Sequence, residues 1–322
     1  MKTKLKAALI GAGHIGRFHT RHLVHHDLWD FVGFYDIDSK RSDEIANEFS
    51  VVAFDNAQAA IDASDAVWIT TPTPSHFSCA KMALENGKHV FIEKPITETQ
   101  SQALELVALA KKLNLKIQVG HIERFNPALQ VLNTMDLKPQ FIESHRLAPF
   151  NARGSLLPVI HENMIHDIDI LLSLVNSPVK HVDATGVAVV TQQPDMANAR
   201  ITFENGCVAN ITASRISLNQ MRKMRIFQAE TYITIDFMKK STELYNLVDG
   251  SSQIIDNARY IDIIGSEKKI RYQNIELPDV DAMLAEQTSF AESIMNNTTP
   301  VVSGEDGAEA LRVAELILSK IK

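Results

Sequence analysis

Cysteine is nearly absent: 322 residues contain only Cys79 and Cys207, with no Cys-x-x-Cys spacing. That argues against a disulfide framework and makes a reducing, cytoplasmic setting the simplest one. A surplus of positive charge is lacking as well. With 32 Lys and Arg against 39 Asp and Glu the formal net charge is −7, so non-specific nucleic-acid binding, which needs a basic face, is not expected. No apolar run approaches a membrane span, and no membrane partner is expected. The run that follows the basic Met1-Lys-Thr-Lys-Leu-Lys covers only residues 7–10 before Gly11, too short for a signal-peptide core. The 12 histidines fall into no Cys/His ligand spacing, so no metal centre is expected. Internal repeats, low-complexity tracts and long linkers are also missing.

What remains is an ordinary globular composition, 45% hydrophobic and 22% charged, in a chain long enough for two domains. Near the start, Ala7-Ala-Leu-Ile10 runs into Gly11-Ala-Gly13-His14-Ile15-Gly16. A helix-like segment follows, then a second apolar run over 31–35, then Asp36. Strand, glycine turn, helix, strand and acid in that order form the fingerprint of a dinucleotide-binding βαβ unit. Gly11 makes the tight turn, Gly13 lets backbone N–H groups approach a pyrophosphate, and Gly16 lets the helix pack closely on the sheet. The pyrophosphate then sits at the helix N-terminus, beside His14 and Ile15, where unpaired N–H groups and the dipole favour an anion. Asp36 is placed to accept from the adenosine ribose hydroxyls. Its charge would repel a 2′-phosphate, so NAD is expected over NADP, with Lys40 and Arg41 close enough to soften that preference.

Residues 1–120 alternate strand-like segments (64–70, 88–92, 116–119) with helix-like ones (75–86, 98–112). This alternation predicts a doubly wound parallel sheet in a dinucleotide-binding domain. From 121 to 322 the pattern changes. A helix-like stretch over 126–135 leads to strands over 141–147, 179–191, 197–203, 208–214, 224–228 and 232–236. Glu204-Asn205-Gly206 is a hairpin turn between two of them. One strong helix is expected over 160–175 and a last one over 308–321, free to pack back on the first domain. Strands joined by hairpins predict an α+β second domain, the substrate and oligomerisation domain, with a mainly antiparallel sheet. In the strand ending Gly186-Val-Ala-Val-Val190, apolar residues are adjacent as well as alternate. A sheet with one solvated face should alternate more cleanly, so a homodimer or homotetramer through the open face is expected.

Ligands of parallel sheets bind beyond the carboxyl ends of the strands. Thr71-Pro72, Glu93-Lys94-Pro95 and 120–124, with His121 and Arg124, fall there. Lys94 follows an apolar strand so closely that it cannot easily reach solvent, and Pro95 stiffens the turn that holds it. Its roles would be to donate to a substrate oxygen and to ease loss of a hydroxyl proton; the alternative is a simple loop pairing with Glu93. In the second domain Glu162, His166 and Asp169 lie at i, i+4 and i+7, one face of a helix, with Asn163 beside them. A histidine among carboxylates has an oriented ring and suits proton transfer. A solvated helix turn is the bland alternative, but the neighbours Met164, Ile165, Ile168 and Ile170 point to burial, where idle charge is costly.

These residues, Gly11 to Gly16, Asp36, Thr71-Pro72 with His76, Glu93-Lys94-Pro95 and His166-Asp-Ile-Asp169, occur in an order and spacing that resembles the Gfo/Idh/MocA family of nicotinamide-dependent oxidoreductases, over essentially the whole chain. The resemblance implies a Rossmann domain followed by a domain built on a large open, mainly antiparallel sheet. It implies oxidation of a secondary alcohol on a sugar, inositol or sugar nucleotide, or the reverse. It gives Lys94 the substrate hydroxyl and His166 the acid/base role, with Gly11, Gly13, His14, Ile15, Gly16, Asp36, Thr71, Pro72, His76, Glu93 and Lys94 around the cofactor. His121, Arg124, Glu162, Asn163 and Asp169 fall to the substrate side. Within the family, 119–127, 164–169 and 214–217 are most similar to bacterial nucleotide-sugar 3-dehydrogenases acting on UDP-N-acetylglucosamine-type substrates. One position departs: the family usually has Asp four residues before the helix histidine, and this chain has Glu162. Two other activities fit the same fold. An imine or enone reductase would not need the Lys94 and His166 pair, and a cofactor-sensing regulator would have no use for it.

Overall fold

The computed structural model describes residues 4–151, 157–251 and 255–321. The chain divides into two compact units, Met1–Ile122 with Asp281–Arg312, and Glu123–Val280 with Val313–Lys322. Beside the expected division near residue 120, with a last helix free to pack back, the return is longer and starts earlier: Asp281–Arg312 joins the first unit, while Val313–Lys322 stays with the second.

The first unit begins β1 (Leu5–Ile10), α1 (His14–Leu23), β2 (Trp29–Tyr35), α2 (Ser39–Phe49), α3 (Ala57–Asp62) and β3 (Ala66–Ile69). It continues α4 (His76–Glu85), β4 (His89–Glu93), α5 (Gln100–Leu113) and β5 (Ile117–Gly120). The strands form one parallel sheet in the order β2-β1-β3-β4-β5, the doubly wound arrangement that the alternation predicted. Helix starts follow local chemistry. Asp38, Asn56 and Thr99 cap α2, α3 and α5 by accepting from backbone N–H groups one turn on, worth about 1 kcal/mol each. Every residue of β3 is buried, as a central parallel strand requires.

The second unit carries α6 (Pro127–Gln130), β6 (Phe141–Leu147), α7 (Ile165–Val175), β7 (Val179–Val187), β8 (Met196–Phe203), β9 (Val208–Ser214) and β10 (Met221–Gln228). Then come β11 (Thr231–Asp236), β12 (Ser241–Asp249), β13 (Ala258–Asp262) and β14 (Lys268–Ile275). Among the described residues these nine strands join one sheet, β13-β14-β12-β11-β10-β6-β9-β8-β7. Only β6 and β9 run parallel; every other pairing is antiparallel. Glu204-Asn205-Gly206 turns the β8–β9 hairpin, with Gly206 at φ +87°. Ile142, Ala209, Ile226 and Ile233 bury one face. On the other, Phe141, Phe227, Tyr232, Tyr245 and Tyr272 form a cross-strand ladder with ring centres 4.6 to 5.8 Å apart.

The last helices are α8 (Ala282–Met295) and α9 (Gly304–Lys320). The sequence reading left α8 out. It packs Phe290 against Trp29, Trp68 and Phe91, and the Trp29 indole N–H donates to the Gln287 carbonyl at 2.9 Å. Loss of so buried a ring would cost about 3–5 kcal/mol, which is why the chain comes back. Other expectations shift. The helix expected over 160–175 begins as a π-turn, Ile160–Met164. The 126–135 stretch is α6 followed by a 3-10 turn, Val131–Thr134. The 179–191 strand stops at Val187, because the Asp195 carboxylate gathers the N–H groups of Val189, Val190 and Thr191 into a turn. Three strands after Asp236 went unforeseen. Among the described residues no helix is long and apolar enough to cross a membrane.

Candidate active site

Parallel register aligns the carboxyl ends of the first sheet. Ile10 pairs with Tyr35 and Ile69, Ile69 with Ile92, and Glu93 with Gly120. The residues that follow, Gly11, Asp36, Thr70, Thr71, Lys94 and His121, therefore share one edge. Gly11 has φ +96°, and a Cβ there would come 2.7 Å from the Thr71 nitrogen. At Gly16 a Cβ would meet the Gly11 carbonyl oxygen at 2.2 Å. Both positions exclude a side chain by close approach. Gly13 differs: a Cβ there would meet nothing within 4 Å, so the backbone borders open space. It is the N-cap of α1 and offers no side-chain cap to the first-turn N–H groups. Room plus an uncapped helix start fits a pyrophosphate. Thr70 braces the turn, its hydroxyl donating to the Gly11 carbonyl at 2.6 Å. His14 is exposed and edge-on to Phe18, and Ile15 is half-buried.

Asp36 directly follows β2, its side chain 4% exposed. Its Oδ1 accepts from the Asp38 N–H at 2.9 Å, and Arg41 Nη1 lies 3.2 and 3.3 Å from its two oxygens. A buried carboxylate stands where a ribose would be read, with a half-exposed guanidinium against it.

Lys94 follows β4 and is half-buried, as is Thr71 after β3, while Pro72 is exposed. Buried His76 ties the two turns together: Nε2 is 2.8 Å from the Thr71 carbonyl oxygen and Nδ1 is 2.9 Å from that of Pro95. Two carbonyls can both be satisfied only by an imidazolium. Burial nonetheless outweighs the two carbonyls and keeps the His76 pKa below its ordinary value. Its nitrogens are spent on backbone, so any contribution to a cofactor runs through the shape of the turns. Glu93 accepts from the Lys94 N–H at 3.2 Å and from His19, a residue the sequence reading did not single out. His121 is buried directly after β5, its N–H donating to the Val119 carbonyl at 2.8 Å.

In the second unit each carboxylate around His166 has an arginine. Asp167 accepts from Arg146 Nε at 2.7 Å and Ser144 Oγ at 2.9 Å, and Arg146 Nη1 reaches Glu123 at 3.0 Å. Burial disfavours the Arg146 charge, but Asp167 and Glu123 override it and push its pKa above the ordinary range. This network pins α7 to β6 one residue from His166. Asp169 is 3.3 Å from Arg124. Glu162 is 3.1 Å from Arg215, which also holds Asp195 at 2.8 Å. The one-face expectation for Glu162, His166 and Asp169 assumed α winding throughout; the π-turn carries an extra residue per turn and rotates Glu162 relative to α7. His161 and Asn163 occupy the same turn, half-buried, and burial lowers the His161 pKa. His161 and Arg146 were missed, having no spacing signal of their own. Among the described residues no three His, Cys, Asp or Glu side chains are grouped as metal ligands would be.

Comparison with known proteins agrees with this architecture. Residues 5–121 match an oxidoreductase family with an NAD-binding Rossmann fold, and residues 151–234 match the GFO/IDH/MocA C-terminal domain. The UDP-N-acetylglucosamine 3-dehydrogenase of Acidithiobacillus ferrooxidans is 34% identical over 311 residues, 96% of this chain and 95% of that one. Its solved structure superposes with a TM-score of 0.89 at 33% identity, covering 99% and 98% of the two chains. The scyllo-inositol 2-dehydrogenase (NAD(+)) of Bacillus subtilis is 26% identical over 97% of this chain and 93% of its own. A levoglucosan dehydrogenase in complex with NADH and levoglucosan shares the fold alone, with a TM-score of 0.84 at 18% identity over 99% and 97% of the two chains. With the glycine turn, the Glu93-Lys94-Pro95 edge and the His166 helix in place in a chain matched along nearly its whole length, the protein belongs to the Gfo/Idh/MocA family of NAD-binding oxidoreductases.

Proposed function

We propose that this oxidoreductase moves a hydride between NAD and a secondary alcohol of a sugar or nucleotide sugar, with UDP-N-acetylglucosamine-type sugars the first substrates to test. The observation that carries the reading is Lys94 on the same sheet edge as the open, uncapped helix start at Gly13. Likeness over 96% of the chain to an enzyme named for UDP-N-acetylglucosamine supports the substrate class. The 11–16 turn would hold the pyrophosphate and Asp36 the adenosine ribose. Bound NAD supplies the hydride acceptor. Lys94 donates a hydrogen bond to the substrate oxygen and favours the alkoxide-like form, and His166 receives the hydroxyl proton. Arg124 and Asn163 fall to the substrate side, with Asp169 holding Arg124.

A panel of sugars and sugar nucleotides with NAD, followed by NADH absorbance, tests the reading. Turnover supports an enzyme and identifies the substrate. Cofactor binding without turnover of any alcohol would favour a sensor, and reduction of an imine or enone alone would favour the reductase.

A cytoplasmic homodimer or homotetramer belongs to the same proposal. The Phe141, Phe227, Tyr232, Tyr245 and Tyr272 ladder on the open sheet face supports it, since a row of aromatic rings is costly to leave in water. The exposed Val187, Val189 and Val190 lie at the end of β7 and in the turn after it. Light scattering at micromolar concentration should give two or four chain masses; a monomer mass would refute it.

A further inference from the structure

His19 lies on α1 with its side chain fully buried. Its Nε2 is 2.9 Å from Glu93 Oε1. Across the ring, Gln287 of α8 places its amide nitrogen 3.1 Å from His19 Nδ1 and 3.3 Å from the His19 carbonyl oxygen. That carbonyl decides the amide orientation, because the reverse would set oxygen against oxygen. An amide nitrogen only donates, so Nδ1 accepts and the ring proton sits on Nε2, aimed at Glu93. The other Glu93 oxygen accepts from the Lys94 N–H at 3.2 Å. The same carboxylate lies against Gly120, where a Cβ would come within 2.9 Å of it.

We propose that His19 is a positioning residue for Lys94, holding the Glu93 carboxylate against the turn that carries Lys94 while Gln287 fixes the ring's tautomer. The role rests on the dehydrogenase reading, in which Lys94 meets the substrate. The titratable groups facing Glu93 are His19 from α1, Lys94 on its own turn, His76 from α4 and Glu286 from α8. Burial disfavours the Glu93 charge, but the His19 hydrogen bond and the neighbouring Lys94 outweigh it and hold the carboxyl below its usual range. Buried Glu286, facing that charge, is pushed well above its usual range and keeps its proton. One negative charge therefore remains, one residue before Lys94, and an adjacent anion favours the ammonium form that donates to a substrate oxygen. Without the His19 donor, burial would neutralise Glu93 and Lys94 would lose both its tie and its counter-charge.

His19→Leu removes the donor at similar volume, and His19→Gln returns an N–H near the position of Nε2. His19→Asn, polar but too short to reach Glu93, replaces His19→Leu should that variant not fold. Loss of the donor should lower kcat at least about tenfold, leave NAD affinity nearly unchanged, and move the acidic limb of kcat to higher pH. His19→Gln should recover most of the rate. A second readout needs no substrate: site-resolved acylation of Lys94 in the intact protein between about pH 6 and 10. Its midpoint should fall in Glu93→Gln and by at least half as much in His19→Leu, and stay in place in His19→Gln. An unmoved midpoint in His19→Leu, or His19→Gln as impaired as His19→Leu, overturns the proposal. A wild-type protein that turns over no alcohol would sink the dehydrogenase reading alone, and the Lys94 midpoint would still decide whether His19 sets its charge.

Discussion

Glu162 is held by Arg215, Oε2 to Nη1 at 3.1 Å. The Glu162 side chain thus reaches a guanidinium already fixed by Asp195 at 2.8 Å and by the Thr191 hydroxyl at 3.0 Å. Arg215→Leu would take the guanidinium from buried Asp195, leaving it only the amides of Val189, Val190 and Thr191 and the Thr191 hydroxyl, and should cost about 1.5–3 kcal/mol. Glu162→Asp leaves the Asp195 pair intact and should cost about 1 kcal/mol or less. Urea midpoints at constant slope check both. Burial opposes the Asp195 charge, but the amides of Thr191, Val190 and Val189 and the Arg215 bond prevail, so its pKa lies far below the usual range. A depressed folded pKa means that this stability is complete above the unfolded value, about 3.9, and is lost as pH falls below it. Arg215→Leu should shrink that acid loss; an unaltered acid limb would refute the pairing's role.

Lys94→Ala should abolish turnover while nearly preserving NAD affinity, because Lys94 shares the sheet's carboxyl edge with the 11–16 turn proposed to hold the pyrophosphate but is not part of that turn. Positioning and acid–base roles are worth about 10²-fold or more. A variant keeping a tenth of wild-type kcat would remove Lys94 from the chemistry.

His166→Asn keeps size and one hydrogen-bonding group but cannot take a proton. In the oxidation direction a neutral ring must accept it, so wild-type kcat/KM should rise with pH and level off. The variant should flatten that limb and lose about 10²-fold or more. If profile and rate both persist, His121, at the carboxyl edge of β5, becomes the candidate.

Legibility in the sequence followed locality. The 11–16 turn, Asp36 and the Glu93-Lys94-Pro95 turn are encoded within a few residues of each strand end, and the parallel sheet repeats one pattern. The strands of the second unit were readable where one face is plainly buried, as in β6 with Ile142, Ser144 and Arg146 inward. The β12 and β14 strands are half-buried at almost every position, so no alternation marked them. The buried face of α8 includes Glu286 and Gln287 beside Phe290, which breaks the apolar stripe a helix reading needs. Arg215 and Glu162 are separated by 53 positions, and no spacing rule joins them. The π-turn before His166 carries no sequence mark at all.

On the proposed reading, Asp36 and Arg41 would set the cofactor choice. NAD should bind more tightly than NADP, because the Asp36 carboxylate would face a 2′-phosphate. Arg41, now within 3.3 Å of both Asp36 oxygens, can turn outward and lend some tolerance, so Arg41→Ala should widen the preference. Dissociation constants from nucleotide fluorescence decide, and tighter NADP binding by the wild type would sink the assignment.

Glu286 should be a cost that the fold carries at neutral pH. Its carboxyl is buried on α8, Oε1 has no hydrogen-bond partner among the described residues, and burial with the nearby Glu93 charge raises its pKa well above the usual range. The sign follows from proton counts. Above the unfolded value, near 4.3, the unfolded chain has released this proton and the folded chain still binds it, so stability falls by about 1.4 kcal/mol per pH unit until the folded pKa is reached. Glu286→Gln keeps shape and polarity without an ionisable proton. It should therefore leave stability near pH 4 almost unchanged, raise it at pH 7, and flatten the decline between. Urea unfolding at several pH values measures the slope directly. A variant less stable than wild type at pH 7, or one with the same slope, would mean that Glu286 is ionised and paired in the folded protein.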